Sequence, residues 1–149
     1  MPFTAYATQE DMTTAPWGGE LVTLTNIDDS AASSINVAVL EQALRDGAAE
    51  IDSYLGGRYD LAAVHALDPL PRVLMLHNRI IARKILDSTS PREAVIDDYK
   101  ATIRFLERLQ TGVATLGLET PAEGGDDAPV YKAPEPVFSR ETLSDYAAF

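Results

Sequence analysis

Cysteine is absent from this chain. Its absence excludes disulfide frameworks, zinc–thiolate sites and thiol nucleophiles together, and it fits a reducing compartment. Histidine is nearly as scarce. His65 and His77 are the only two, and neither has a second histidine four residues away, the spacing at which one helix face presents paired metal ligands. No run approaches the roughly 18 consecutive apolar residues of a membrane span. Met1 to Glu10 has no basic n-region and no apolar h-region, so a soluble product without a signal peptide is expected. The glycine pairs at 18–19, 56–57 and 124–125 are not followed by the Lys-Ser/Thr of a phosphate loop, and there is no Gly-x-Ser-x-Gly elbow. Carboxylates are plentiful, but no spacing pairs two of them for acid–base chemistry. The expectation is a protein that is not an enzyme and carries no metal or cofactor.

Basic residues are also in short supply, 12 against 23 acidic, and the formal net charge is −11. Such a field repels nucleic acid. The distribution is uneven. Residues 1–70 hold 2 basic and 11 acidic side chains, and residues 109–149 hold 2 and 7. Residues 71–108 hold 8 basic and 5 acidic, a positive block between two negative flanks.

What is present is helical patterning. The 149 residues suffice for one domain, which at this size buries roughly 68–70% of the surface its unfolded chain exposes. Thr8 with Asp11 three residues on is a capping pair for a short helix. Glu20 to Thr25 reads as one more helical turn or a short strand, and Asn26 to Ser34 as a polar loop. Asn36 then caps a long helix whose apolar residues, Val37, Leu40, Leu44, Ile51, Tyr54 and Leu55, recur every three or four positions. Gly47 lies inside it, costs about 1 kcal/mol relative to alanine, and is taken as a mark of close packing. Gly56–Gly57 reads as a left-handed stop. Arg58 to Leu70 reads as a loop, and Pro71 as the opening of a second helix through Val73, Leu74, His77, Ile80, Ile81, Lys84 and Ile85. Ser90-Pro91-Arg92-Glu93 has the pattern of a capping box before a third helix through Val95, Tyr99, Ile103, Leu106 and Leu109, ending at Gly112. The fold class expected is all-α, a small bundle of about four to five helices over residues 1–118, with an extended C-terminal tail.

That tail has two parts. Residues 119–136 contain four prolines, Gly124–Gly125 and five acids, a composition that reads as an extended acidic linker. Residues 137–149 turn apolar again, with Val137, Phe138, Leu143, Tyr146 and Phe149. A tether ending in aromatic anchors is suited to docking on another subunit or partner; folding back on its own bundle is the alternative.

His77 lies on an apolar stripe and reads as a hydrogen-bonded core residue; His65 reads as a solvated loop residue. Asn26, Asp28 and Ser30 alternate like the start of an EF-hand, but Ala31 stands where glycine is needed and Val37 where the bidentate Glu would be, so turn formation explains them. The basic block offers the strongest candidate. Lys100, Arg104 and Arg108 stand four apart on one helix face, and Arg79 and Arg83 form a similar pair. Like charges at that spacing destabilise a helix by a few tenths of a kcal/mol each. A solvated face, nucleic-acid contact and a subunit interface are the readings available. In the last, the basic helices of one copy meet the acidic first half of the next, a head-to-tail contact that closes into a ring if its rotation allows.

Several stretches together resemble a known family. They are Tyr6-Ala7-Thr8, Leu21 to Asn26, Ala48-Ala49-Glu50-Ile51-Asp52-Ser53-Tyr54-Leu55 with Gly57-Arg58-Tyr59, Asp98-Tyr99-Lys100 to Phe105-Leu106, Gly112, Leu116-Gly117-Leu118, and Val137-Phe138-Ser139-Arg140-Glu141-x-Leu143. This pattern resembles small proteins of Mu-like prophages viewed as head-to-tail connectors of the virion neck. The resemblance implies a helical ring under the portal protein, usually dodecameric, meeting a stopper or tail-completion protein and passing DNA without sequence-specific binding. It also implies a C-terminal segment that engages the portal through Phe138, Arg140, Leu143 and Tyr146. Here Tyr146 is followed by Ala147-Ala148-Phe149, a departure from relatives that stop near an aromatic at that point. Asp28–Asp29 and Asp126–Asp127 are the candidates for a negative lumen. A stopper or head-completion protein, or a small helical regulator of another protein, are the alternative functions.

Overall fold

The computed structural model of the chain describes residues 3–118, whose regular elements are all helical with no strand among them. The helices are α1 (Gln9–Thr13), α2 (Leu21–Thr25, entered through a 3-10 turn at Gly18–Glu20), α3 (Val37–Leu55), α4 (Leu61–His65), α5 (Arg72–Leu86) and α6 (Glu93–Gln110). The expected four to five helices become six because α4 forms where a loop was expected. Asp60 makes that single turn possible, its carboxylate accepting the Ala62 N–H at 3.0 Å. Glu20 to Thr25 resolves as helix.

The three long helices form the bundle, and their pairings give its direction. Leu40 and Leu44 of α3 cluster with Ala82 and Leu86 of α5, while Ile51 and Leu55 cluster with Leu74, so these two run antiparallel. His77 of α5 meets Thr102 of α6 while Lys84 meets Tyr99, again antiparallel. Glu50 pairs with Tyr99 and Arg58 with Leu109, so α3 and α6 are parallel. The periodicity puts Leu40, Leu44, Ile51 and Leu55 of α3, Leu74 and Ile81 of α5, and Val95, Leu106 and Leu109 of α6 in the interior, each 4% exposed or less. Burying each such side chain contributes about 1.5–3 kcal/mol. α1 and α2 cover the first half of α3 with Met12 and Leu21, both fully buried.

At Gly47, α3 and α5 approach closely. A Cβ there would lie 2.8 Å from Asn78 Nδ2 and 3.3 Å from Ile81 Cγ2. Gly112 ends α6 in the left-handed region, with φ +81°. Gly56 does not play that role at α3: its φ is −62°, and the chain turns on in right-handed geometry into α4. The expected Ser90 capping box does not form either. Helix α6 starts two residues later with Arg92 at its N-cap and no side-chain cap, because the Arg92 guanidinium is drawn to Glu20 and Asp87.

Candidate functional site

The α6 basic residues lie where the amphipathic pattern puts them. With Val95, Thr102, Leu106 and Leu109 turned inward, Lys100, Arg104 and Arg108 fall on the opposite, exposed side. Lys100 is 3.7 Å from Asp97, both well exposed, a pairing worth little in water. Arg104 and Arg108 make no ion pair among the described residues. Two guanidinium groups are thus presented outward without a carboxylate partner among the described residues.

The α5 pair is different. Arg83 lies 4.9 Å above the Trp17 ring and 3.6 Å from Glu20, and its side chain is only 15% exposed. Arg79 lies 6.0 Å from the same ring. Glu20 also accepts two bonds from Arg92, at 3.0 and 2.6 Å, and Arg92 Nε donates to Asp87 at 3.2 Å. The Arg92 hydrogen bonds hold the Glu20 carboxyl below its ordinary range. This cluster ties α2, α5 and the start of α6 together, so Arg83 is engaged within its own chain. Periodicity had no means of finding it, because Trp17, Glu20 and Arg92 are far apart in sequence.

A second cluster joins the N-terminal segment to the bundle. Asp52 accepts the Tyr6 hydroxyl and lies 3.0 Å from His65 Nε2. Phe3 stacks on His65 with ring centroids 3.7 Å apart and planes at 4°. Burial, and then the Asp52 carboxylate, push the Tyr6 phenol far above its ordinary range. His65 is therefore bonded and stacked at the end of α4, not a solvated loop residue.

His77 is hydrogen-bonded as expected but half-buried, at the edge of the core. Nδ1 is 3.0 Å from Thr102 Oγ1, and the ring stacks on Phe105 at 4.5 Å. Burial lowers its pKa below the ordinary 6.5. The unfolded chain therefore binds more protons than the folded one below that value. Stability falls as pH drops from about 6.5 through the lowered folded pKa, and this group adds no slope above it. Urea titrations between about pH 5 and 8 should show that slope in the wild type and a shallower one in His77→Gln. Equal slopes would remove His77 as the cause.

Among the described residues no group of three acidic or histidine side chains is placed to hold a metal ion, and no helix is long and apolar enough to cross a membrane. Val137, Phe138, Arg140, Leu143, Tyr146 and Phe149 lie outside the described residues.

Residues 6–130 match the family described as Bacteriophage Mu, Gp36. The chain belongs to that family. It is similar to the Mu-like prophage FluMu protein gp36 of Haemophilus influenzae, 42% identical over 87 residues, which span 58% of this chain and 59% of that protein. It is also similar to Gene product J of Escherichia phage Mu, 34% identical over 107 residues, spanning 70% of this chain and 73% of that protein. The Gp36 match takes in the three long helices and the α6 basic stripe, and stops before Val137.

Proposed function

We propose that this chain is a structural head-to-tail adaptor of a Mu-like tailed phage, which assembles as a ring in the virion neck between the portal and the tail. One observation carries the reading within the family: the outward α6 stripe, in which Arg104 and Arg108 have no ion-pair partner among the described residues. Uncompensated guanidinium groups on a chain of net charge −11 fit an acidic surface on the next copy. A head-to-tail contact of that kind closes into a ring if its rotation allows, and a dodecamer would match the portal. The excess acid then suits a lumen through which DNA slides without adhering. The C-terminal anchors, Phe138, Arg140, Leu143 and Tyr146, engage the portal at the end of their acidic linker.

The test is the mass, by size exclusion with light scattering, of this protein alone and mixed with the portal protein of the same phage. The expected result is a large complex with the portal, which a chain ending at Glu119 fails to join. A full-length chain that ignores the portal removes the adaptor reading. Binding to another neck component instead points to the stopper role.

A further inference from the structure

The largest exposure of a big apolar side chain among the described residues is at Val113, 70%. It is not on a loose end. Gly112 turns the chain in the left-handed region, Ala114 N–H donates to the Arg108 carbonyl at 2.9 Å, and Arg58 Nη1 donates to the carbonyls of Leu109 and Ala114 at 3.1 and 3.2 Å. Val113 is thus held out on a braced turn, just past Arg104 and Arg108 on α6.

The other end of the bundle carries an open apolar groove of about 430 Å³. Leu24, Ile27, Ala38, Val39 and Leu86 line it, with Asp46 as its charged member. Ile27 and Val39 on its lining are 53% and 40% exposed. An adjoining hollow shares Leu24, Ile27 and Leu86 and adds Asp29. The groove belongs to the first half of α3, whereas Val113 stands beside Arg58, just past the last turn of that helix. A helix of 19 residues is about 28 Å long, so the two features lie toward opposite ends of it.

We infer that the Val113 turn of one copy seats in the α2–α3 groove of the next. This deepens the adaptor reading and rests on it. The match is apolar to apolar at the centre and basic to acidic at the rim, with Arg108, whose carbonyl accepts the Ala114 N–H, beside the knob, Arg104 one turn back along α6, and Asp29 and Asp46 beside the groove. Knob and groove lie at opposite ends, so the contact is heterologous, as a ring requires, and every copy offers one of each.

The chain has no cysteine, so engineered thiols report without background. Full-length protein carrying Val113→Cys and Val39→Cys together is oxidised, alone and with the portal protein. A ladder of reducible multimers is expected, because a disulfide needs its two Cβ atoms within about 4.5 Å. A mixture of the two single variants should stop at dimers. In an independent measurement, Val113→Asp should raise the concentration needed for assembly about tenfold or more, and Val113→Ile should leave it near the wild type. An assembled ring without cross-links overturns the inference and leaves the adaptor reading standing. Cross-linking of Val39→Cys to Phe138→Cys in preference to Val113→Cys gives the groove to the C-terminal segment and overturns it too. A chain that stays monomeric even with the portal sinks both.

Discussion

Replacing Asn78 with leucine is expected to cost the fold about 3 kcal/mol or more and to lower the thermal midpoint by roughly 10 °C or more. Asn78 is fully buried at the crossing of α3 and α5. Its Oδ1 accepts the Ala7 N–H at 2.9 Å, and its Nδ2 donates to the Leu44 carbonyl at 3.0 Å. One amide therefore fastens the N-terminal segment, α3 and α5 at a single point. Leucine leaves the Ala7 N–H buried without an acceptor, which costs about 1–3 kcal/mol. The site cannot relax to admit the new methyls, since the α3 backbone at Gly47 already closes on Nδ2. Overpacking adds about 1–3 kcal/mol. Gly47→Ala tests the same crossing from the other side. Alanine gains about 1 kcal/mol of helix propensity, yet its Cβ would sit 2.8 Å from Asn78 Nδ2, so a net loss is expected. Urea and thermal melts of both variants check this. A leucine variant within 1 kcal/mol of wild type would show that the amide is not the pin described.

Asn78 also marks the limit of what the sequence discloses. The apolar period of α3, α5 and α6 was legible because a helix repeats its buried face every three or four residues, and the all-α class follows from it. Gly47 was legible as a close approach because a costly glycine in a long helix calls for a reason. Asn78 was not legible: a buried amide looks like any surface asparagine until its partners, 34 and 71 residues away, are known. The Ser90 box failed for a related reason. Local capping favoured Ser90, but Glu20, 72 residues from Arg92, offered that guanidinium a bidentate partner and moved the start of α6. Of the candidate interface, the α6 stripe was readable from four-residue spacing alone. The engagement of Arg83 by Trp17 and Glu20 was not, because it depends on tertiary neighbours.

Reversing Arg104 and Arg108 to glutamate should abolish self-assembly, or weaken it by two orders of magnitude or so, while leaving the monomer's melting point nearly unchanged. The fold should tolerate the exchange because both side chains are exposed and neither has an ion-pair partner among the described residues. Relief of the Lys100–Arg104 repulsion gains a few tenths of a kcal/mol, while the Arg104–Arg108 repulsion is replaced by a similar one between the two glutamates. Loss of a cation from the last turn of α6 costs about 0.3–1 kcal/mol, so the two nearly cancel. Assembly has no such compensation. Two attractive contacts per interface become two repulsive ones, a change of four unit charges repeated at every junction of a ring. The wild-type assembly should also loosen as salt is raised toward about 1 M, where the Debye length shrinks to roughly 3 Å. Replacing Lys100 alone should do less, since Asp97 already offsets it. Light scattering across a salt series, with thermal melts of the same samples, separates the two effects. If the doubly reversed chain assembles like the wild type, the basic stripe is a solvated face; if it assembles poorly and melts early, the arginines support the fold and the interface is elsewhere.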